Sequence, residues 1–475
     1  MSRPDSHDEL TRGQRVARRV LKPLEQFLQI EAASGIVLFV AAAAALLWAN
    51  SPWTASYDAF WHTPITLGVG ELVFTQSLHF WINDGLMTIF FLVVGLEIRR
   101  EMHDGVLSRP SAAMLPLIAA LGGVAAPAII YVAINPDPAL RSGWAIPTAT
   151  DIAFAVGVLT LLGKRVPPAL RIMLLALAII DDIVAVLVIA FAYSSGVELS
   201  GLLLALAGVV GVIVLQKLGV ASAMPYVAPG AVVWLGLLRA GVHPTLAGVV
   251  LGLLTPVSQS FRRESLLGTA ARALEEIRDR LHRNPGDAHA LAPSLRRLKV
   301  AHRELLTPVE RVQLTLHPWV AYGIMPLFAL ANAGVHLSGV SLDEEALASV
   351  ASGVFFGLLL GKPIGITLAS YLAVRTGLSS LPPGVGWLAI MVMGCLGGIG
   401  FTMSIFITNL AFEQQALIES AKLAILTGSA AAAVGADLRT RSAAACGWHH
   451  QPRARGALER PFDHARRTRV NPAHR

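Results

Sequence analysis

Two aspartates stand side by side, Asp181 and Asp182, within the apolar run Ala-Leu-Ala-Ile-Ile-Asp-Asp-Ile-Val-Ala-Val. The run extends from Pro168 to Tyr193, so the pair falls near its middle. An ionisable side chain at the centre of a bilayer costs about 2.5–3.5 kcal/mol, so it ordinarily marks a pathway or a partner. Adjacent residues on a helix point about 100° apart. One carboxylate can therefore line an ion site while its neighbour reaches a different group. Joint ionisation of two carboxylates this close is disfavoured, which suits a site that trades protons for a cation. The plainer alternative is a structural pair bonded to neighbouring helices.

Three further features belong with this pair. Asp151 lies in Trp-Ala-Ile-Pro-Thr-Ala-Thr-Asp-Ile-Ala-Phe, where Pro147 removes a backbone donor and disfavours helix before it. A span carrying Pro147, Thr148, Thr150 and Asp151 is expected to be interrupted, which membrane depth tolerates only beside protein or a wet cavity. Asp151 would balance the positive ends of half-helices there, with Thr150 as a neutral oxygen; helix capping is a compatible reading. Lys362 sits beside Gly353, Gly357, Gly361 and Gly365, a small-residue stripe that lets helices approach closely. Its buried amine needs a carboxylate partner, and the mid-span aspartates are the evident candidates. Finally, Met393-Gly394-Cys395-Leu396-Gly397-Gly398-Ile399-Gly400-Phe401-Thr402 is too rich in glycine for an uninterrupted helix.

The elements that position these residues are membrane spans. The chain is 54% hydrophobic and 15% charged, against about 25% charged in an ordinary soluble domain. Its fold class is expected to be all-α membrane protein, with twelve spans near 30–50, 79–101, 112–134, 144–163, 169–193, 199–216, 224–238, 242–255, 314–335, 349–374, 386–411 and 416–437. With both termini inside, the outer loops hold only Arg141 and Arg239. The inner ones hold Arg99, Arg100, Arg109, Lys164, Arg165 and Lys217, as the positive-inside rule requires. That placement also accounts for the net charge of +7 without nucleic acid. Segments 4 and 11 are the discontinuous ones, each central in a set of three that enter from opposite sides. An inverted repeat with the two broken helices crossing at the midplane follows.

Around the transporter domain (30–437) lie a basic arm at 1–29, an insertion at 256–313 and a basic tail at 438–475. The insertion is charged and helical in pattern, with a turn at Asn284-Pro285-Gly286, so a cytoplasmic helical hairpin is expected. The tail is expected to be disordered. Cys395 and Cys446 form no disulfide framework.

These residues resemble the NhaA-type Na⁺/H⁺ antiporters over about 25–437, apart from the insertion. The motifs are Phe-Leu-Val-Val-Gly-Leu-Glu-Ile, Ala-Thr-Asp-Ile-Ala-Phe-Ala-Val-Gly, Ala-Ile-Ile-Asp-Asp-Ile, His-Pro-Trp-Val-Ala, Phe-Ala-Leu-Ala-Asn-Ala-Gly-Val, Gly-Lys-Pro-Ile-Gly-Ile and Gly-Ile-Gly-Phe-Thr-Met-Ser-Ile-Phe. An inverted repeat about a midplane site is a property that this family itself exemplifies. The resemblance implies an electrogenic, pH-regulated secondary transporter of the bacterial inner membrane. It would exchange cytoplasmic Na⁺ or Li⁺ for external H⁺ by alternating access, with both termini cytoplasmic. It implies no enzyme activity and no cofactor, the ions being substrates, and it allows a homodimer.

By position, Asp182 would be the principal sodium carboxylate and Asp181 the proton carrier, paired with Lys362. Asp151 and Thr150 would stand at the helix crossing, and Asp84 in a supporting role. Glu97, Glu101, His243 and His317 would serve the pH response at the cytoplasmic funnel or nearby. For Glu97 and Glu101 an equal alternative is a charged helix end beside Arg99 and Arg100. The chain departs from the family at Gln313 and Leu314, where well-studied relatives carry glutamate and histidine, so its activation pH is expected to differ.

Rival functions fit less well. An intramembrane aspartyl protease would use Asp151 and Asp181 across one scissile bond, but a Gly-x-Gly-Asp signature is absent and Lys362 would be idle. A channel needs an open pore rather than titratable ligands between broken helices. Another cation or an organic solute on the same fold is the nearer alternative, and the paired aspartates favour a cation.

Overall fold

The computed structural model describes residues 31–69, 72–162, 166–194, 196, 198–220, 222–257, 268, 271–279, 291–298, 306–336 and 344–445. The arm at 1–29, the turn Asn284–Gly286 and the tail beyond 445 lie outside the described residues. The chain begins with α1 (Glu31–Ala49) and a short α2 (Thr54–Trp61), bent by 118° from it. A hairpin of β1 (Pro64–Val69) and β2 (Leu72–Ser77) follows. Next come α3 (Leu78–Asp104), α4 (Pro110–Ile134), α5 (Pro138–Thr148), α6 (Ile152–Leu162), α7 (Pro168–Ala192), α8 (Leu199–Lys217), α9 (Val227–Arg239) and α10 (Leu246–Leu254). Beyond the insertion are α11 (Pro308–Asn332), α12 (Glu345–Arg375), α13 (Trp387–Gly397), α14 (Phe401–Ala411) and α15 (Gln415–Ala445).

Seven helices, α3, α4, α7, α8, α11, α12 and α15, are long and apolar enough to cross a membrane, and bent pairs raise the number to ten. The pairs are α1 with α2, α5 with α6 and α13 with α14. Helices α9 and α10 have 13 and 9 residues, short of the roughly 20 that a straight crossing takes.

Three details differ from the sequence reading. A β hairpin lies in what the sequence reads as the 51–78 loop of an otherwise helical chain: Ile65, Thr66, Val73 and Thr75 are β-branched, and the Thr66 and Thr75 hydroxyls meet across the strands at 3.0 Å. Helix α15 runs on through 438–445, part of the tail expected to be disordered. Residues 308–313, assigned to the insertion, begin α11. Pro308 stands at its first position, and Thr307 and Glu310 close a reciprocal capping box. Within the rest of the insertion, 271–279 and 291–298 are helical, and Glu276 of the first accepts from Ser294 (2.8 Å) and Arg297 (3.0 Å) of the second.

The framework of the site is the seam between α4 and α12. A Cβ on Gly353 would meet Asn135 Nδ2 at 2.5 Å, one on Gly357 would meet Pro147 at 2.6 Å, and one on Gly361 would meet Pro127 at 2.7 Å. Gly365 faces the Gly122 carbonyl more closely still. Every fourth residue of α12 is thus bare where it crosses α4 and α5, so backbones touch. A π-helical turn at Gly357–Gly361 immediately precedes Lys362 and re-aims the helix there.

Candidate functional site

Helix α5 stops at Thr148 and α6 starts at Ile152, turned by 42°; α13 stops at Gly397 and α14 starts at Phe401, turned by 48°. The two gaps lie against each other and satisfy each other's backbone. Asp151 N–H donates to Ile399 O at 2.7 Å, and Thr150 Oγ1 donates to Gly397 O at 2.8 Å. Asp151 caps both restarting helices. Its Oδ1 accepts from Phe154 N–H (3.0 Å) at the start of α6, and its Oδ2 from Thr402 N–H (3.1 Å) and the Thr402 hydroxyl at the start of α14. A carboxylate beside two helix N-termini is where the macrodipoles favour negative charge. Asp151 is 1% exposed.

Lys362 reaches the same place from α12. It is 0% exposed, and its Nζ donates to Asp181 Oδ2 at 2.7 Å and to Thr150 Oγ1 at 3.0 Å. Asp181 and Asp182 project from the middle of α7. Asp181 uses one oxygen on the lysine, while its Oδ1 is buried without a hydrogen-bond partner among the described residues. The Asp182 carboxylate is buried too and takes no hydrogen bond from any described residue. The like charges acting on it are Asp181, Glu97 and Asp151, in that order, with Lys362 opposing them. Asp181, Asp182, Asp151, Thr150 and Lys362 therefore form one buried polar cluster. Among the described residues no group of three or more His, Cys, Asp or Glu side chains could hold a metal ion.

The other sequence candidates are spread out. Glu97 is half-buried on α3, whose Val94 and Ile98 pack on Ile179 of α7, and its charge acts on Asp182. Glu101 is occupied elsewhere: it accepts from Val106 N–H at 2.8 Å where α3 ends and lies 3.9 Å from Arg100. Asp84 sits in a π-helical turn, Trp81–Leu86, and its carbonyl accepts from Trp234 Nε1 at 3.1 Å. His243 lies far from the two glutamates: its Nε2 is 2.8 Å from Tyr193 O, past the C-terminal end of α7. Eleven residues of helix separate that point from Asp182, about 16 Å at 1.5 Å per residue. His317 is exposed on α11. Gln313, one of the departures, is buried with no hydrogen-bond partner for its side-chain oxygen among the described residues, and Leu314 is exposed.

Sequence reasoning passed over Thr402 as a partner of Asp151, although it closes the glycine-rich run. It also missed Lys422, a buried lysine of α15 whose place inside an apolar span was the available signal.

The amino-acid sequence matches known proteins along most of its length. The family model described as Na⁺/H⁺ antiporter 1 matches residues 25–438. The chain is 59% identical over 426 residues to the Na(+)/H(+) antiporter NhaA 2 of Pseudomonas putida, covering 90% of this chain and 94% of that one. It is 56% identical over 425 residues to the Na(+)/H(+) antiporter NhaA of a Janthinobacterium species, with coverage of 90% and 94%. The Na(+)/H(+) antiporter NhaA of Bartonella henselae is 49% identical over 423 residues, covering 89% of this chain and 93% of that one. With this match and a set of apolar helices able to cross a bilayer several times, the chain belongs to the Na⁺/H⁺ antiporter 1 family of multi-pass membrane transporters.

Proposed function

We propose that the chain exchanges cytoplasmic Na⁺ or Li⁺ for external H⁺ by alternating access at the Asp181–Asp182–Lys362 cluster. The observation that carries this reading is the division of labour on α7. Asp181 is held by Lys362 at 2.7 Å, and Asp182, the next residue, is buried and takes no hydrogen bond among the described residues. A hard monovalent cation prefers oxygen ligands, and the Asp182 carboxylate and Asp181 Oδ1 take no hydrogen bond among the described residues. A cation arriving between them competes with the ammonium for Asp181. Asp182 sheds its proton to receive the ion, and Lys362, its partner now shared, sheds another. Two protons against one monovalent cation make the cycle electrogenic.

In this reading α9 and α10 also cross the membrane, completing twelve spans with both termini cytoplasmic. The interrupted pairs α5–α6 and α13–α14 then cross at the midplane of the inner membrane as centres of an inverted repeat. The mutual contacts of the gaps support that arrangement, because broken backbone at such depth needs protein partners.

The test is a pH-dye assay in everted vesicles carrying a respiration-driven proton gradient. Adding Na⁺ or Li⁺ dequenches the dye at alkaline pH, and K⁺ does so weakly. Collapsing the membrane potential changes the rate if the exchange is electrogenic. Correctly inserted protein that is silent to Na⁺ and Li⁺ at every pH overturns the reading.

A further inference from the structure

The residues of the ion site all lie outside the insertion between α10 and α11. Residues 256–307 carry ten Lys or Arg against six Asp or Glu, a net charge of +4. The two described helices of this stretch, 271–279 and 291–298, close on each other. Ala273 is 1% exposed and Ser294 0%, and Glu276 accepts from both Ser294 and Arg297.

The same helices leave two leucines uncovered. Leu274 is 54% exposed and Leu295 50%. Each follows a seam residue, Ala273 or Ser294, by one position, and so points about 100° round from the seam. With the turn that Asn284-Pro285-Gly286 signals, the helices run antiparallel, and equal rotations from the seam then fall on one side of the pair. Arg278 stands one turn beyond Leu274 on that side, and Arg296 follows Leu295 at its edge. Glu275 and Asp279 lie about 100–140° further round the first helix. One side of the hairpin is thus apolar at its centre and basic at its rim. A lone exposed leucine needs no explanation, but two on one side with arginines beside them form the pattern of helices that lie in a bilayer surface.

Chain connectivity identifies what covers this side. Helix α10 ends at Leu254 and α11 begins at Pro308, and both belong to the membrane domain. Nine residues separate 298 from Pro308, no more than about 32 Å of chain at full extension. The hairpin is leashed beside the bilayer, and a short leash gives a high effective concentration, so that even a weak contact with the surface is populated. The charge surplus selects the leaflet and the lipid. Basic segments stay in the cytoplasm, and the cytoplasmic leaflet carries the anionic headgroups.

We propose that the hairpin is a membrane-surface anchor: Leu274 and Leu295 enter the headgroup boundary of the cytoplasmic leaflet, and the arginines beside them engage the phosphates of anionic lipids. It rests on the cytoplasmic placement of the insertion in the reading above and not on the ion assignment. Two terms act together. Lipid charge draws the hairpin down and is screened by salt, and the leucines hold it there. A membrane of zwitterionic lipid alone holds it weakly.

The test uses the full chain with Cys395→Ser and Cys446→Ser, reconstituted in vesicles of phosphatidylcholine alone or with phosphatidylglycerol. Both orientations of the protein in such a vesicle offer the hairpin the same lipid mixture. An environment-sensitive fluorophore on Ala292→Cys, exposed and one turn before Leu295, reports on the docked side, and one on Glu275→Cys reports on the other. The Ala292 probe is shielded from an aqueous quencher several-fold better with phosphatidylglycerol than without, and high salt removes the difference. Leu274→Glu with Leu295→Glu abolishes the shielding, and Arg278→Gln with Arg296→Gln weakens it, while the Glu275 probe stays open throughout. Shielding that ignores lipid charge and both double variants overturns the anchor. Equal shielding in a neutral detergent does so too, by placing the chain's own surface over the leucines. Shielding that fades as the protein is diluted into excess lipid does the same, by placing a second copy there. Glu275→Cys that labels with an impermeant thiol reagent in right-side-out and not in everted vesicles overturns the cytoplasmic placement and leaves the ion site standing. An anchored hairpin in a protein that moves no protons with Na⁺ keeps the anchor and sinks the antiport reading instead.

Discussion

Lys362 Nζ lies 2.7 Å from Asp181 Oδ2, and both side chains are closed off from solvent. Burying two charges is costly, and their attraction offsets that cost only with good geometry and further hydrogen bonds. Lys362 has one such bond, to Thr150 in the gap between α5 and α6. Asp181 leaves its second oxygen without a hydrogen-bond partner among the described residues. The pair is therefore a costly structural clamp, and the proposed exchange gives it a use, as a contact that a competing cation parts.

Breaking the pair from one side should be expensive. Lys362→Met leaves Asp181 buried and uncompensated, which we expect to lower stability by about 3–5 kcal/mol unless the carboxyl takes up a proton. Adding Asp181→Asn should restore most of the melting temperature in detergent while exchange stays lost. A double variant no more stable than the single one would contradict the pairing.

Thr402 holds Asp151 with both its backbone and its hydroxyl. Thr402→Val removes the hydroxyl bond at a buried carboxylate, and we expect a loss of about 1–3 kcal/mol. Thr402→Ser should keep most of the stability, because the hydroxyl remains. Thermal unfolding of the two purified variants separates these outcomes.

At Gly361 the nearest backbone, Pro127 of α4, leaves no room for a methyl group. Gly361→Ala should push α12 from α4, costing about 1–3 kcal/mol and displacing the neighbouring Lys362. Gly323→Ala, inside α11 where a Cβ would meet nothing within 4 Å, is the matched control and should not lower stability. Equal melting temperatures would show that the seam is looser than its geometry indicates.

Local chemistry made some of this visible in the amino-acid sequence. Pro147 and the glycines from Gly394 to Gly400 weaken helix where they stand, and the chain is interrupted at both places. The four-residue glycine spacing on α12 pointed to a close helix contact without naming α4 or α5. The residues alone narrowed the partner of Lys362 to the mid-span aspartates. Which one it meets depends on the rotation of α7, a tertiary property. The β hairpin was hidden because a loop between spans shows no strong hydropathy signal. His336, Asp58 and Glu419 are far apart in sequence, and only the fold brings them together. His243, grouped by resemblance with Glu97 and Glu101, sits at the other end of α7.

The central claim is that Asp182 receives the transported cation. Its most direct test is Na⁺- and Li⁺-induced dequenching of a pH dye in everted vesicles, comparing the unaltered chain with Asp182→Asn across pH at matched expression. Asp182→Asn keeps the shape of the side chain and disturbs no hydrogen bond among the described residues, so folding should survive. We predict exchange in the unaltered chain and none in the variant at any pH or cation concentration. Exchange that persists in Asp182→Asn with ordinary cation dependence would contradict the account and move the ion site elsewhere.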